Sequence, residues 1–335
     1  MSNDIIFDIL IIGAGPAGLA LGNILSKKSS KYLILEKGSV GNSFSNMPDN
    51  LSLITYWRSN YLRGEDKNLY ELDSVISAKS YAEYLRKIGQ GLNIRENTVV
   101  KSVEKIDRIF HITTEEGVFL AKKVVDASGY FSKPFTPSFS KVNPTCEMIH
   151  FSQYKNNSII GSDDRVLIVG ARLSAGQVLE EVAQRTKNLF LCTRGEVKFS
   201  SKESIRKWCL RNIKFIDFLI SLFSLRKKLE VYMDLERRPL IENIRKYPEI
   251  FSVEGRVVTF KNGQSLEVDK IIFATGFCET TPHITGDYQR GHIQSFTTPG
   301  LYFLGRECLF NFKSRFLRGI REDAFRLAKK IEETL

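Results

Sequence analysis

The sequence predicts an α/β fold of two Rossmann-like units, the second inserted into a discontinuous first. Three observations carry this prediction. Residues 9–20, "ILIIGAGPAGLA", run an apolar strand into GxGxxG and a helix. Residues 166–177, "VLIVGARLSAGQ", repeat that strand, turn and helix in altered form. Each copy is followed by an apolar strand ending in small residues, "VVDASG" (124–129) and "IIFATG" (271–276). The expected division is 1–158 with 275–335 for the first unit and 159–274 for the second, which carries a helical insert at about 202–245.

In the first unit, "DILII" (8–12) reads as a buried parallel strand because it is apolar without alternation. Gly13, Gly15 and Gly18 then open a helix with Pro16 and Ala17 between them, and "YLILEK" (32–37) is a second strand ending in Glu36 and Lys37. Each glycine has a separate task. Gly13 makes the turn, Gly15 lets backbone N–H groups approach a diphosphate, and Gly18 lets helix and strand pack closely. The helix N-terminus adds the positive end of its dipole. Glu36, 23 residues after Gly13, stands where a carboxylate accepts hydrogen bonds from a ribose diol. A glycine turn without ligand is the plain alternative, and strand, helix, strand and acid in this order argue against it. A β-meander is expected over 98–130, ending in Ala127, Ser128 and Gly129.

The second unit begins again with "RVLIVG" (165–170), a helix through "SAGQVLEEVAQR" (174–185) and a strand in "NLFLCTRG" (188–195). Gly170 is kept, but Arg172 replaces the middle glycine and Ala175 the third. Arg194, 24 residues after Gly170, occupies nearly the place of Glu36. A carboxylate there would repel a 2′-phosphate, whereas a guanidinium pairs with it, so the second nucleotide reads as NADPH rather than NADH. The alternative is that Arg194 and Lys198 only solvate a strand end. Arg172 can replace lost backbone contacts with charge-assisted donors to a diphosphate, Ser174 can cap the helix, and Ala175 is small enough for close packing. A degenerate loop that keeps the fold without its ligand is the competing reading.

Composition narrows the class. With 335 residues and 42% apolar content, the chain can build a packed core in each of two domains. The longest apolar stretch, "FIDFLISLFSL" (215–225), falls short of the ~20 residues that cross a bilayer and contains Asp217. Asp4 and Asp8 interrupt any signal-peptide pattern, so a soluble cytoplasmic protein is expected. Five scattered cysteines form no CxxC, and no metal-ligand spacing occurs, so neither a redox dithiol nor a metal is expected. The net charge of +11 lacks a nucleic-acid recognition motif beside it, and an attraction for anionic cofactors, substrates or membrane surfaces is preferred to nucleic-acid binding.

Several stretches together resemble the class B flavoprotein monooxygenases: "GAGPAGLA", "LEKGSVGNSF", "LSLITYWRSNYL", "DASGYFSKPFTP", "VLIVGARLSAGQ", "DKIIFATGF" and "PGLYFLGR", in that family's order. The resemblance implies FAD in the first unit and NADPH in the second. It implies that Ser43 of "GNSF" and Ala127–Gly129 lie near the FAD, that Val100 walls the adenine, and that Thr275 and Gly276 form the second return turn. Thr55, Tyr56 and Trp57 would approach the isoalloxazine ring, with ordinary core aromatics as the alternative. Gly305 would contact the flavin ring, and Arg306, where the family has an aspartate, would lie near flavin N1–C2=O and stabilise the reduced anion.

The activity implied is a monooxygenase in which NADPH reduces flavin, O₂ forms a C4a-(hydro)peroxyflavin, and one oxygen passes to a small organic substrate. Departures are visible. Cys146 and Pro144 stand at two positions of the fingerprint that His150 and Tyr154 fit, and Tyr56 stands where the family has asparagine. The alternatives are an NADPH-dependent reductase without its own dithiol, similar to bacillithiol disulfide reductases, and a flavin-binding protein without turnover. The insert, with Trp208, Phe215, Phe218, Leu219 and Phe223 among Arg206, Lys207, Arg211, Lys214 and Arg226–Lys228, resembles the family's substrate lid or access wall. A basic amphipathic helix on an anionic membrane is the second reading, and a solvated helix with a core face the third.

Overall fold

The computed structural model describes residues 5–223, 230–284, 289 and 291–334. The chain opens with β1 (Ile6–Ile12), turns at Gly13 into α1 (Pro16–Leu25) and returns in β2 (Tyr32–Leu35). Two short helical turns, α2 (Asn42–Ser45) and α3 (Trp57–Asn60), precede α4 (Ala78–Gly89) and the edge strand β3 (Ile94–Arg95). The expected meander follows as β4 (Val100–Ile106), β5 (Ile109–Thr114) and β6 (Val118–Asp126), antiparallel neighbours throughout. Ile9, Leu10 and Ile11 have no exposed surface, because Ile9 and Ile11 pack among the helices on one face and Leu10 packs with Phe110 and Ile112 of β5 on the other.

Two-residue β7 (Lys133–Pro134) leads through β8 (Lys141–Pro144) and β9 (Glu147–His150) to the second glycine loop, between β10 (Val166–Val169) and α5 (Leu173–Val182). Strand β11 (Leu189–Cys192) is followed by the insert helices α6 (Glu203–Arg211) and α7 (Ile213–Phe223), then α8 (Arg238–Asn243) and β12 (Arg245–Tyr247). Strands β13 (Ile250–Gly255), β14 (Val257–Phe260) and β15 (Ser265–Glu267) form a hairpin ribbon before β16 (Lys270–Phe273) and β17 (Phe277–Cys278). The chain ends with β18 (Leu301–Phe303) and α9 (Leu317–Glu332).

Pairing resolves these elements into two main sheets. The first runs β3-β2-β1-β6-β5-β4, with β18 parallel to β6, so the C-terminal segment returns to the first unit as expected of a discontinuous domain. The second runs β12-β11-β10-β16-β9, parallel throughout. Strand β9 already belongs to it, and β8 pairs with β13, so the chain enters the second unit before residue 159, where the glycine loop alone would start it. Among the described residues no helix is long and apolar enough to cross a membrane. The expected cationic stretch Arg226–Lys228 lies outside the described residues.

Candidate functional site

The two glycine loops share one piece of backbone geometry. At Gly13 φ is +104°, and an added β-carbon would lie 2.7 Å from the Ala127 carbonyl oxygen. At Gly170 φ is +148°, and the same atom would lie 2.5 Å from the Ala274 carbonyl oxygen. Each leading glycine is therefore required twice over, by its dihedral and by the neighbouring strand's exit turn. Those turns also match, with Gly129 at φ +86° and Gly276 at +83°.

In the first loop, a β-carbon at Gly18 would stand 1.9 Å from the Gly13 carbonyl oxygen, so glycine alone lets α1 pack down on the turn. At Gly15 the opposite holds: nothing lies within 4 Å of the added atom. That opening faces the start of α1, where Pro16 sits in the first turn, no side chain caps the helix and no acidic residue occupies its first turn. A diphosphate fits there, meeting an uncapped positive helix end. Both oxygens of buried Glu36 are held by backbone donors, 2.7 Å from Ala14 N and 3.0 Å from Gly38 N, which fixes the carboxylate beside the loop. Ala17 packs under Gly305, where an added β-carbon would come within 2.8 Å. Lys37 and Ser43 are exposed on the stretch that follows β2, and Val100 is half-buried at the start of β4.

The second loop is built from different contacts. Ala175 is fully buried under Gly170, and the following Gly176, which the sequence reading passed over, leaves room for Met233 and Arg237, whose atoms would lie 2.8 and 2.9 Å from an added β-carbon. The expected cap at Ser174 is corrected: Arg172 is the N-cap residue, no side chain caps the helix, and Ser174 is already its second residue. Arg172 turns its guanidinium outward to Glu230, at 2.5 Å. Arg194 follows β11, exposed, with Nε 3.6 Å from Glu249 and its guanidinium 5.9 Å from the Phe135 ring centre. An exposed pair of this length contributes little, so an anionic ligand can displace the carboxylate. Thr275 donates to the Phe135 carbonyl, and the Gly276 carbonyl accepts from His150 Nε2 at 2.9 Å. Because Ser152 N donates to His150 Nδ1, the proton sits on Nε2, and burial lowers this imidazole's pKa, favouring the neutral form.

Arg306 is not where it was expected. Its guanidinium is fully buried and donates to Asp126 Oδ2 at 2.7 Å, to Ser128 Oγ at 3.1 Å and to the Thr280 carbonyl at 3.1 Å. It braces the Ala127–Gly129 turn from behind instead of presenting a cation to a flavin edge. Burial alone would raise the Asp126 carboxyl, but Arg306 and His283, whose Nε2 lies 3.6 Å away, outweigh it and hold Asp126 well below the ordinary carboxylate range. Asp126 is a functional candidate that the motif pattern does not single out. Its signal was an acid immediately before the small-residue turn and a base where the family has an acid.

Trp57 is the other correction. It has no exposed surface, its indole N–H donates to the Asp66 and Lys67 carbonyls, and Tyr61, Tyr70 and Tyr84 pack around it. It is a core aromatic with no face left for a cofactor. Thr55 is half-buried and donates to Asn60 Oδ1 at 2.6 Å, while Asn60 Nδ2 returns a bond to the Thr55 carbonyl at 2.7 Å, which locks this segment. Tyr56 lines a cleft of about 530 Å³ between residues 48–56 and α5, with Glu203, Arg206, Lys207 and Leu210 of α6 on its far wall. Through α6 the insert forms one wall of this cleft, and none of the described residues of α7 lines it.

Comparison with known proteins agrees with this geometry. The family model described as pyridine nucleotide-disulphide oxidoreductase matches residues 10–292. The chain is 30% identical to an uncharacterized CzcO-like oxidoreductase of Geobacillus kaustophilus, covering 95% of this chain and 96% of that one. Among solved structures it is similar to a flavin monooxygenase mutant from Stenotrophomonas maltophilia (TM-score 0.80, 18% identity, 97% and 98% covered). It is similar also to OTEMO in complex with FAD and NADP (0.77, 16%, 98% and 85%) and to the bacillithiol disulfide reductase Bdr of Bacillus cereus (0.74, 18%, 99% and 100%). With two glycine cradles in one chain and a family match across most of its length, this protein is an oxidoreductase that belongs to the pyridine nucleotide-disulphide oxidoreductase family.

Proposed function

We propose that this protein is a cytoplasmic, NADPH-dependent FAD monooxygenase acting with O₂ on a small organic molecule. FAD and NADPH are its cofactors. FAD, when bound, accepts hydride from NADPH and makes O₂ reactive enough to transfer one oxygen atom. The chain's own contribution is placement and exclusion of water. The Gly13–Gly18 loop with Pro16 and Ala17 receives the FAD diphosphate, Glu36 the ribose, and Val100, Lys37, Ser43 and Ala127–Gly129 border the rest of that site. Gly170 and Ala175 shape the second cradle, Arg194 meets the 2′-phosphate and Arg172 swings from Glu230 to the diphosphate. Thr55, clamped by Asn60, holds Tyr56 at the cleft, and Thr275, Gly276 and Gly305 shape the return of the chain between units.

The cleft carries this reading, because about 530 Å³ is the size of a site that encloses a small organic ligand and Tyr56 reaches into it from the segment next to Thr55. Likeness to Bdr favours a second reading, a reductase that passes electrons to an external disulfide. All five cysteines are free and scattered, so such a reductase would have no dithiol of its own. The test is NADPH consumption under air and under argon, with candidate substrates and ¹⁸O₂. The monooxygenase reading expects consumption to stop at one flavin reduction under argon and one labelled oxygen per product under air. Sustained anaerobic turnover with a disulfide and no labelled product would replace it with the reductase.

A further inference from the structure

Helix α7 carries apolar residues on two opposite sides, and those on one side are more deeply buried than those on the other. Ile213, Ile216 and Ile220 are half-buried on the side where Asp217 meets Arg318 of α9 in a buried bidentate pair at 2.7 and 2.9 Å. That pair fixes the helix rotation, since turning α7 would leave both charges unpartnered in the interior. Phe215, Phe218, Leu219 and Leu222 recur at i, i+3, i+4 and i+7 on the other side, and Ile205 and Trp208 of α6 in the same hairpin are exposed as well. These six side chains are 38% to 61% exposed. Single exposed apolar residues are ordinary, but a continuous stripe of large ones marks a surface made to be covered.

The hairpin is also held firmly. Arg58 donates to the Arg211 carbonyl at 2.9 Å, Arg211 pairs with Asp73 at 3.3 Å, and Arg206 pairs with Asp234. The apolar surface is therefore a fixed feature rather than a frayed end.

We propose that the α6–α7 hairpin docks this protein on an anionic lipid bilayer, with Trp208, Phe215, Leu219 and Leu222 entering the interface and lysines at its rim meeting the headgroups. Charge complementarity selects this occupant. Lys202 and Lys214 flank the stripe, exposed and without an ion pair among the described residues, and the whole chain carries +11. A second copy of this chain fits less well, because a two-fold interface would set these cations against themselves. With no described helix able to span a membrane, the mode is a helix lying in the surface.

The molecule provides its own probe. Of its two tryptophans, Trp57 is fully buried and Trp208 is 54% exposed, so a change in emission on lipid addition reports Trp208. The FAD-loaded protein is mixed with vesicles of phosphatidylcholine containing phosphatidylglycerol, and with pure phosphatidylcholine vesicles. The proposal expects co-sedimentation with the anionic vesicles, weakened at high salt, a blue shift of Trp208 and its quenching by lipids brominated on their chains. The double substitution Phe215→Ser with Leu222→Ser is expected to lower partition at least tenfold while FAD stays bound. Absence of the protein from anionic vesicles, with unshifted emission, overturns the proposal. So does a lipid-free dimer that buries Trp208 and is abolished by the same substitutions.

Discussion

The two glycine loops of this protein start alike and part at the third residue. Gly13 and Gly170 both pack against the alanine carbonyl of a neighbouring strand's exit turn, so neither position tolerates a β-carbon. Beyond them the first loop closes: Gly18 seats α1 on the turn, and Glu36 holds the loop through Ala14. The second stays open, with Arg172 and Arg194 exposed and each facing an exposed carboxylate. The turns behind them differ too. Asp126 precedes Ala127 and is braced by buried Arg306, whereas Phe273 precedes Ala274 in an apolar core. Under the proposed function, the first cradle would keep its nucleotide behind bonded walls and the second would exchange its own through displaceable surface charges.

The largest expected effect separates the loops at their third small residue. Gly18→Val would force the helix off the turn and is expected to abolish FAD retention, read as the flavin-to-protein absorbance ratio of the purified protein. Ala175→Gly should leave that ratio unchanged. Next, Asp126→Asn removes the partner of a buried guanidinium and should destabilise the fold by about 3–5 kcal/mol, measured by denaturant unfolding, whereas Phe273→Leu should cost about 1 kcal/mol. Equal losses at the two positions would erase the contrast between the turns.

The first unit carries a pH effect of its own on α9. Asp323 on α9 is fully buried with neither oxygen hydrogen-bonded among the described residues, and burial, only partly offset by Ser314 and Arg326, raises its pKa to about 7. Its folded pKa lies above the unfolded value, so the folded state favours the protonated acid. That contribution is complete at low pH and fades as pH rises from about 4 to 7. Asp323→Asn should therefore stabilise the protein at pH 8 by on the order of 3 kcal/mol and change little at pH 4, as thermal melts at both values would reveal. A gain of the same size at both would reject this account of Asp323. The smallest effect is in the second loop: Arg194→Gln should raise KM for NADPH about tenfold, equivalent to one charge-assisted hydrogen bond of ~1.5 kcal/mol, and leave KM for NADH unchanged.

Most of this frame was legible because it rests on local chemistry. Apolar runs, glycines at fixed spacing and an acid or base at a strand end carry both cradles without knowledge of distant contacts. What escaped depends on contacts far apart in sequence. The pairing of Arg306 with Asp126 joins residues 180 positions apart and turned an expected flavin contact into a brace. Trp57 looked like a cofactor neighbour until three tyrosines closed around it. Helix α7 is apolar nearly all round, so its periodicity could not name the covered side, and only the Asp217–Arg318 pair decides it. Strand β9 joined the second sheet before any glycine motif announced that unit.

Two nucleotide cradles in one chain are expected to bring a pyridine nucleotide to a bound flavin. The most direct test is to add NADPH under argon to the purified FAD-loaded protein and follow the visible flavin band. The band is expected to bleach, and Arg194→Gln to require about tenfold more NADPH for the same rate. A protein that holds FAD yet keeps its full colour at saturating NADPH would contradict this expectation.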